Sequence, residues 1–90
     1  MVKIRFTSAL KRFYPDLKEE SVDGGKVSEV LEKIGQKYPG ILGYLLEEDG
    51  SLRKHVNIFI KDELIQDRLQ LSDEVAEGDE ILVYQALSGG

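Results

Sequence analysis

The feature that most constrains the fold is one amphipathic run in the first half of the chain. Its apolar residues recur with the spacing i, i+3, i+4, i+7 and i+11: Val27, Val30, Leu31, Ile34 and Tyr38. That spacing predicts a helix with one apolar face, and Pro39-Gly40 ends it. Because Lys26 stands where an oxygen-bearing cap is expected, we predict that Gly25 caps the helix instead.

Three short runs alternate apolar and polar residues, which predicts half-buried strands at residues 2–6, 56–60 and 81–84. Residues 17–22 alternate poorly, so we predict only a weak edge strand there. A turn over residues 61–63 leads to a short return strand at residues 64–65, and Asp62 is expected to take the positive φ of that turn.

Three connecting segments carry weaker signals. Residues 9–16 are predicted to be irregular around Pro15-Asp16. Residues 41–46 are predicted to form either one helical turn or an extended crossing. Residues 69–75 are predicted to form a short helical turn with Ser72 as its cap.

This order of elements predicts an α+β protein with the β-grasp arrangement. A mixed four- to five-stranded sheet is crossed by one main helix, and the last strand returns beside the first. The helix covers one face of the sheet and the other face is solvated. The strand residues expected to meet the helix are Val2, Ile4, Phe6, Val56, Ile58, Ile60, Ile81 and Val83. We assign residues 1–86 to this domain and residues 87–90 to a flexible C-terminal tail.

Composition narrows the classes of function. The 90 residues fit one domain, and the hydrophobic fraction of 41% is typical of a soluble globular protein. The absence of cysteine excludes a disulfide framework, iron–sulfur ligation and a cysteine nucleophile. The net charge of −5 disfavours nucleic-acid binding and favours a protein partner with a basic face. No apolar run is long enough to span a membrane, and no signal peptide follows Met1.

The sequence ends on Leu87-Ser88-Gly89-Gly90. Glycine at both last positions lets the backbone approach another protein closely and take any φ. The free carboxylate is then a candidate reactive group, whereas an ordinary frayed end is chemically inert. Both interpretations stay open on the tail alone.

Other candidate reactive sites are weak. His55 is the only histidine, and the sequence places no serine or carboxylate to form a triad with it. The pairs Asp62/Glu63 and Asp79/Glu80 lie at turns, where solvation explains them better than acid–base chemistry. Gly24-Gly25 lacks the spacing of a phosphate-binding loop.

Strand parity predicts an apolar patch near the tail. If Ile81 and Val83 face the helix, then Leu82 and Tyr84 face outward, and Phe59 lies on that same open face. Three exposed apolar side chains there predict a docking patch for a partner protein. Ordinary surface exposure is the alternative.

Several stretches together carry a resemblance: Val27-Ser28-Glu29-Val30-Leu31-Glu32, Lys37-Tyr38-Pro39-Gly40, Val56-Asn57-Ile58-Phe59-Ile60, Glu80-Ile81-Leu82-Val83-Tyr84 and Ser88-Gly89-Gly90. Each is a loose motif, but in order and spacing they resemble the MoaD/ThiS family of ubiquitin-like sulfur carriers. The resemblance spans nearly the whole chain.

The resemblance implies a protein cosubstrate rather than an enzyme. An E1-like partner would use ATP to adenylate the carboxylate of Gly90, and a sulfur donor would convert the acyl adenylate into a thiocarboxylate. Gly89, Leu87 and Ser88 would enter the partner's channel. A sulfur-accepting synthase or sulfur-transfer enzyme would then take the sulfur. The chain itself would bind no cofactor or metal stably, and we expect a cytoplasmic protein that is monomeric when free.

The pathway is less constrained than the family. Carriers of molybdopterin synthase typically have two prolines just before the diglycine, where this chain has Gln85-Ala86, and an asparagine-glycine turn where it has Lys61-Asp62. Residues 56–63 are more similar to carriers of cysteine or other sulfur-metabolite synthesis, although molybdopterin synthesis stays open. Two other functions also stay open: a ubiquitin-like modifier conjugated through Gly90, and a β-grasp interaction module without a reactive tail.

Overall fold

The computed structural model describes residues 1–85, which build a five-stranded mixed sheet with the strand order β2-β1-β5-β3-β4. The strands are β1 (Val2–Phe6), β2 (Glu20–Val22), β3 (Val56–Ile60), β4 (Glu63–Leu64) and β5 (Glu80–Gln85). Strands β1 and β5 are parallel, and all other neighbours are antiparallel. The predicted β-grasp arrangement is confirmed, with the last strand beside the first.

The main helix, α1 (Val27–Lys37), buries the predicted apolar face against the sheet: Val27, Val30, Leu31 and Ile34. The predicted cap is wrong, because the helix is capped at Lys26, whose side chain makes no capping hydrogen bond. Glu29 instead reaches back, and its Oε1 accepts a hydrogen bond from the Gly25 N–H at 2.7 Å. A carboxylate in the first turn satisfies an exposed N–H and interacts favourably with the helix dipole.

The core lies between α1 and one face of the sheet, as predicted. Six of the predicted strand residues are buried: Val2, Ile4, Val56, Ile58, Ile81 and Val83. Phe6 and Ile60 are half-buried at its margin. The connections complete the core. A 3₁₀ turn (Ser8–Arg12) replaces part of the predicted irregular segment and buries Leu10, and the single-turn helix α2 (Leu42–Leu45) buries Leu45.

The predicted helical turn at residues 69–75 is wrong. This segment is an irregular loop organised by the carboxylate of Asp67, which accepts hydrogen bonds from the backbone N–H groups of Leu69, Gln70 and Ser72. The hydroxyl of Ser72 donates to the same carboxylate instead of capping a helix. Because one side chain satisfies these amides, they need no helical partners.

The hairpin and the edge strand differ from the predictions in detail. Lys61, not Asp62, takes the positive φ in the turn after β3, at 59°. The return strand β4 begins one residue earlier than predicted. The edge strand β2 has only three residues, and Leu17 is buried before it starts. No helix within residues 1–85 is long and apolar enough to cross a membrane.

Candidate partner-docking site

Strand β5 carries the chain to the candidate site. It lies at the centre of the sheet, hydrogen-bonded to β1 on one side and to β3 on the other. Because β1 is parallel and β3 antiparallel to it, the ends of β1 and β5 meet the start of β3 at one end of the sheet. Gln85, the last described residue, pairs with Val56 there. We call this region, residues 5–13, 53–57 and 82–85, the tail end.

The alternation predicted for β5 is present in the structure. Ile81 and Val83 are buried beneath the helix, whereas Leu82 is half-buried and Tyr84 is 45% exposed. Phe59 lies directly opposite Leu82 on the neighbouring strand β3. The three residues predicted for a docking patch therefore share the open face of the sheet, with Leu82 and Tyr84 in the tail end and Phe59 farther along the sheet, toward the end of β3.

Leu64 extends this apolar surface, and the sequence-based prediction missed it. Its side chain is 55% exposed and lies opposite Phe59 across the β3–β4 pair. The following residue, Ile65, is buried. Strand parity within the predicted hairpin would have found Leu64, because a residue paired with an outward-facing one also faces outward. We call Phe59, Leu64, Leu82 and Tyr84 the open-face patch.

Charged groups border the open-face patch on the β1 side. Lys3 and Arg5 are exposed, and they lie beside Glu80 and Leu82 in the parallel register. The patch thus has the apolar centre and charged border that are common in protein interfaces.

Arg68 fixes the other side of the tail end. Its Nη2 donates hydrogen bonds to the carbonyl oxygens of Arg53 and Val56 at 2.7 and 2.8 Å, and its Nη1 donates to Asn57 Oδ1 at 3.1 Å. These bonds satisfy backbone carbonyl oxygens at the start of β3, where β4 does not pair with that strand. The guanidinium therefore holds in place the strand that pairs with Gln85.

The remaining predicted site residues are Leu87, Ser88, Gly89 and Gly90, which lie outside the described residues, as does Ala86. The assignment of residues 87–90 to a tail, and of a reactive carboxylate to Gly90, therefore stay predictions.

The carboxyl groups with shifted pKa values belong to turns and links between elements. A hydrogen bond from the Ser72 hydroxyl, helped by backbone N–H groups, lowers the pKa of Asp67 from 3.8 to about 2. The hydroxyl of Tyr38 lowers the pKa of Glu20, and a backbone N–H lowers that of Asp79. Such carboxylates stay ionised near neutral pH, so they suit hydrogen-bond acceptors better than general acids.

His55, a weak candidate from the sequence, lies at the surface of the tail end. His55 is half-exposed immediately before β3. Within residues 1–85, no three histidine, aspartate or glutamate side chains come together as a metal site would require.

Comparisons with known proteins agree with this fold. The sequence matches the ThiS family over residues 4–90. The chain belongs to the ThiS family. It is 29% identical over 75 residues to the sulfur carrier protein CysO of Mycobacterium tuberculosis, with 81% of each chain covered. This confirms the family that the sequence motifs indicated.

Solved structures place this ThiS-family chain among β-grasp proteins. A chain in the crystal structure of the Amycolatopsis orientalis BexX/CysO complex superposes with a TM-score of 0.85 at 24% identity, with 100% of both chains covered. The solution structure of small archaeal modifier protein 1 from Methanosarcina acetivorans gives a TM-score of 0.79 at 26% identity, covering 99% of this chain and 95% of that one.

Proposed function

We propose that this ThiS-family chain is a sulfur carrier whose reactive group is the carboxylate of Gly90. The observation that carries the proposal is the family match, which runs through residue 90 and so includes Gly89-Gly90. The relative in Mycobacterium tuberculosis is named a sulfur carrier. The scaffold of residues 1–85 supports the proposal by leading its central strand to the tail.

The chemistry follows from the weakness of a carboxylate as an electrophile. An oxygen of the Gly90 carboxylate attacks the α-phosphorus of ATP, which releases pyrophosphate and leaves an acyl adenylate. With hydrosulfide as the nucleophile, its sulfur attacks the acyl carbon, the bond to AMP breaks and AMP leaves, and loss of the sulfur-bound proton gives the thiocarboxylate. The activating partner supplies the catalytic groups and the ATP site, so the carrier is a protein cosubstrate and not an enzyme.

The open-face patch is the proposed docking surface for the enzymes that act on the tail. Its four apolar residues, Phe59, Leu64, Leu82 and Tyr84, form a continuous surface by strand register. Aromatic side chains are the commonest anchors in protein interfaces. The E1-like activating enzyme and the sulfur-accepting enzyme would use this surface in turn. We place this exchange in the cytoplasm, with the free carrier a monomer.

The name of the mycobacterial relative and the sequence just before the tail favour one pathway. CysO matches over four fifths of the chain, and Gln85-Ala86 departs from the proline pair of molybdopterin-synthase carriers. We therefore propose cysteine or another sulfur metabolite as the product, ahead of molybdopterin.

Intact-mass spectrometry tests the proposal directly. The full chain is incubated with its cognate E1-like enzyme, ATP and sulfide. We expect the mass increase that accompanies replacement of one carboxylate oxygen by sulfur, and we expect none in a matched chain with one alanine added after Gly90. An unchanged mass of the parent chain, with the enzyme shown to be active in ATP hydrolysis, would overturn the proposal.

A second candidate function is conjugation to other proteins through Gly90. It is favoured by the likeness to small archaeal modifier protein 1, whose name describes a modifier. Tagged carrier in cell lysate would then run in bands of high molecular weight that resist denaturation. A single band at the mass of the carrier would leave sulfur transfer as the function.

A further inference from the structure

A second aromatic surface lies beside the root of the tail, on the helix side of the sheet. The rings of Phe13 and Tyr44 stack with their centroids 4.8 Å apart and an interplanar angle of 19°. Phe13 is 57% exposed and Tyr44 is 37% exposed. The side chain of Gln85, at the end of β5, donates a hydrogen bond from Nε2 to the carbonyl oxygen of Tyr44 at 3.5 Å. The stack thus lies next to the last described residue.

This stack is held in place by its neighbours. Tyr14 packs edge-on against Tyr44 at 5.9 Å, and its hydroxyl donates to the carbonyl oxygen of Pro39 at 3.0 Å. Arg53 Nε donates to the carbonyl oxygen of Gly43 at 3.1 Å, which ties helix α2 to the segment before β3. Two large exposed rings on a supported backbone are ordered before any partner binds, which lowers the entropic cost of association.

The charges of the chain are segregated along the sheet. The tail end carries five basic residues and no aspartate or glutamate: Arg5, Lys11, Arg12, Arg53 and Lys54. Of these, only Arg53 has a carboxylate within 4.0 Å in residues 1–85, which is Glu47 at 3.3 Å.

The opposite end of the sheet is acidic. The segments 61–63, 73–74 and 77–80 lie where β3 ends and where β1 and β5 begin. They contain seven carboxylates, namely Asp62, Glu63, Asp73, Glu74, Glu77, Asp79 and Glu80, against three side-chain cations at the same end: Lys61, Lys3 beside Glu80 and Lys26 beside Glu74. The chain is therefore polarised, with its positive end at the root of the tail.

We propose that the Phe13–Tyr44 stack and the basic residues around it form a second docking surface, separate from the open-face patch, for the enzyme that activates Gly90. The complementary surface on that enzyme is an apolar recess bordered by carboxylates. This inference rests on the proposed function. It revises the expectation of a basic partner, which was drawn from net charge alone and fails to account for the polarity of the tail end.

The reach of the tail supports this choice of partner. Five residues follow Gln85, and an extended chain of that length spans at most about 18 Å. An enzyme that reacts at Gly90 must therefore approach the tail end closely. It meets the open-face patch on one side of β5 and the aromatic stack on the other. Aromatic anchors contribute affinity at such a contact, and the charge at the tail end orients the carrier during encounter.

The test compares the kinetics of adenylation, followed by pyrophosphate release with the cognate E1-like enzyme, between the parent chain and three variants. Phe13→Ala removes a mostly exposed ring. Arg12→Glu reverses a charge at the tail end. Lys33→Glu is the matched control, because it makes the same change in net charge on an exposed position of α1 away from the tail end. Urea unfolding checks that each variant keeps the parent's stability.

We expect the KM for the carrier to rise about fivefold or more in Phe13→Ala, with kcat unchanged. We expect Arg12→Glu to raise KM at low salt, with the effect shrinking as salt is added, and Lys33→Glu to leave KM unchanged. Equal KM values for the parent, Phe13→Ala and Arg12→Glu would overturn the inference. So would equal effects of the two charge reversals. Failure of the parent chain to be adenylated would refute the proposed function instead.

Discussion

Truncation of Tyr84 is the sharpest perturbation of the open-face patch. The residue lies on the central strand β5, one position before the last described residue, and its ring faces away from the core. Because 45% of Tyr84 is exposed in the free protein, a partner that covers the patch must cover that ring. Tyr84→Ala should therefore weaken docking while leaving the core intact.

The size of the effect follows from the exposed area. A tyrosine offers roughly 200 Å² for burial, so the 45% exposed fraction of Tyr84 leaves about 90 Å² to be covered by a partner. At about 25 cal/mol per Å², that area contributes about 2 kcal/mol, which corresponds to roughly a thirtyfold change in affinity. The same accounting sets an upper estimate of about 3 kcal/mol for the cost to folding, because the remaining fraction of Tyr84, roughly 55% or about 110 Å², is covered within the chain.

The assay is the Kd of the carrier for its cognate E1-like enzyme, measured by titration calorimetry. We expect a rise of about thirtyfold for Tyr84→Ala. Tyr84→Phe, which keeps the ring and removes only the hydroxyl, should stay close to the parent. A Kd for Tyr84→Ala equal to that of the parent, with unfolding by urea also unchanged, would refute the assignment of Tyr84 to the docking surface. A large loss of stability would show instead that the ring supports the fold.

Three further predictions concern the scaffold. Tyr38→Phe removes the hydroxyl that donates to Glu20 at 2.6 Å, and we expect urea unfolding to show a loss of about 1 kcal/mol in the free energy of unfolding at neutral pH. That bond lowers the pKa of Glu20 below 4.5, so its contribution to stability is fully present above pH 4.5. The loss caused by the substitution should therefore shrink as pH falls through the folded-state pKa of Glu20. Asp67 has its pKa lowered from 3.8 to about 2, so it stabilises the fold above the former value and ceases to do so as pH falls through the latter; circular dichroism should show a flatter acid dependence of stability for Asp67→Asn, and an unchanged dependence would contradict this. Gly40 has a φ of +89°, so Gly40→Ala should lose about 1 kcal/mol or more, whereas Gly43→Ala, with nothing within 4 Å of its added Cβ, should lose none; equal stabilities of the two variants would refute the conformational argument.

Hydrophobic periodicity was sufficient to predict the framework, because each strand and the main helix bury one face only. The apolar residues of α1 and the alternating residues of β5 had to face each other in any compact arrangement. Given the order of these elements, the β-grasp topology places the last strand beside the first, as the structure shows. The same alternation assigned Phe59, Leu82 and Tyr84 to the open face.

The predictions failed where hydrogen bonds to side chains, rather than hydrophobic periodicity, determine the backbone conformation. Ser72 was predicted to cap a helical turn in residues 69–75, but its hydroxyl and the neighbouring amides donate to the carboxylate of Asp67, which holds a loop. Leu71 takes a φ of 57° there, which is incompatible with a right-handed helix. A single acceptor five residues or fewer away can outweigh a short helical pattern, because a short helix has little stability of its own.

The proposed second docking surface could not be predicted from the sequence, because its two rings come from two separate connecting segments. Phe13 follows the first 3₁₀ turn and Tyr44 lies in α2, and each looks like an isolated aromatic residue in its own segment. Similarly, the net charge of −5 conceals the basic tail end. Only the parallel pairing of β1 with β5 places Lys11 and Arg12 at the same end of the sheet as Arg53.

The central position of β5 suits the proposed reaction of this carrier at Gly90. A partner that draws the tail into a channel pulls on the strand from which the tail leaves. At an edge of the sheet, that strand would be held by hydrogen bonds on one side only, and local opening would release it. Here β5 is bonded to β1 and β3 along both sides, and Arg68 secures the start of β3 beside Gln85. In the proposed function, these bonds would keep the open-face patch in shape while a partner acts at Gly90.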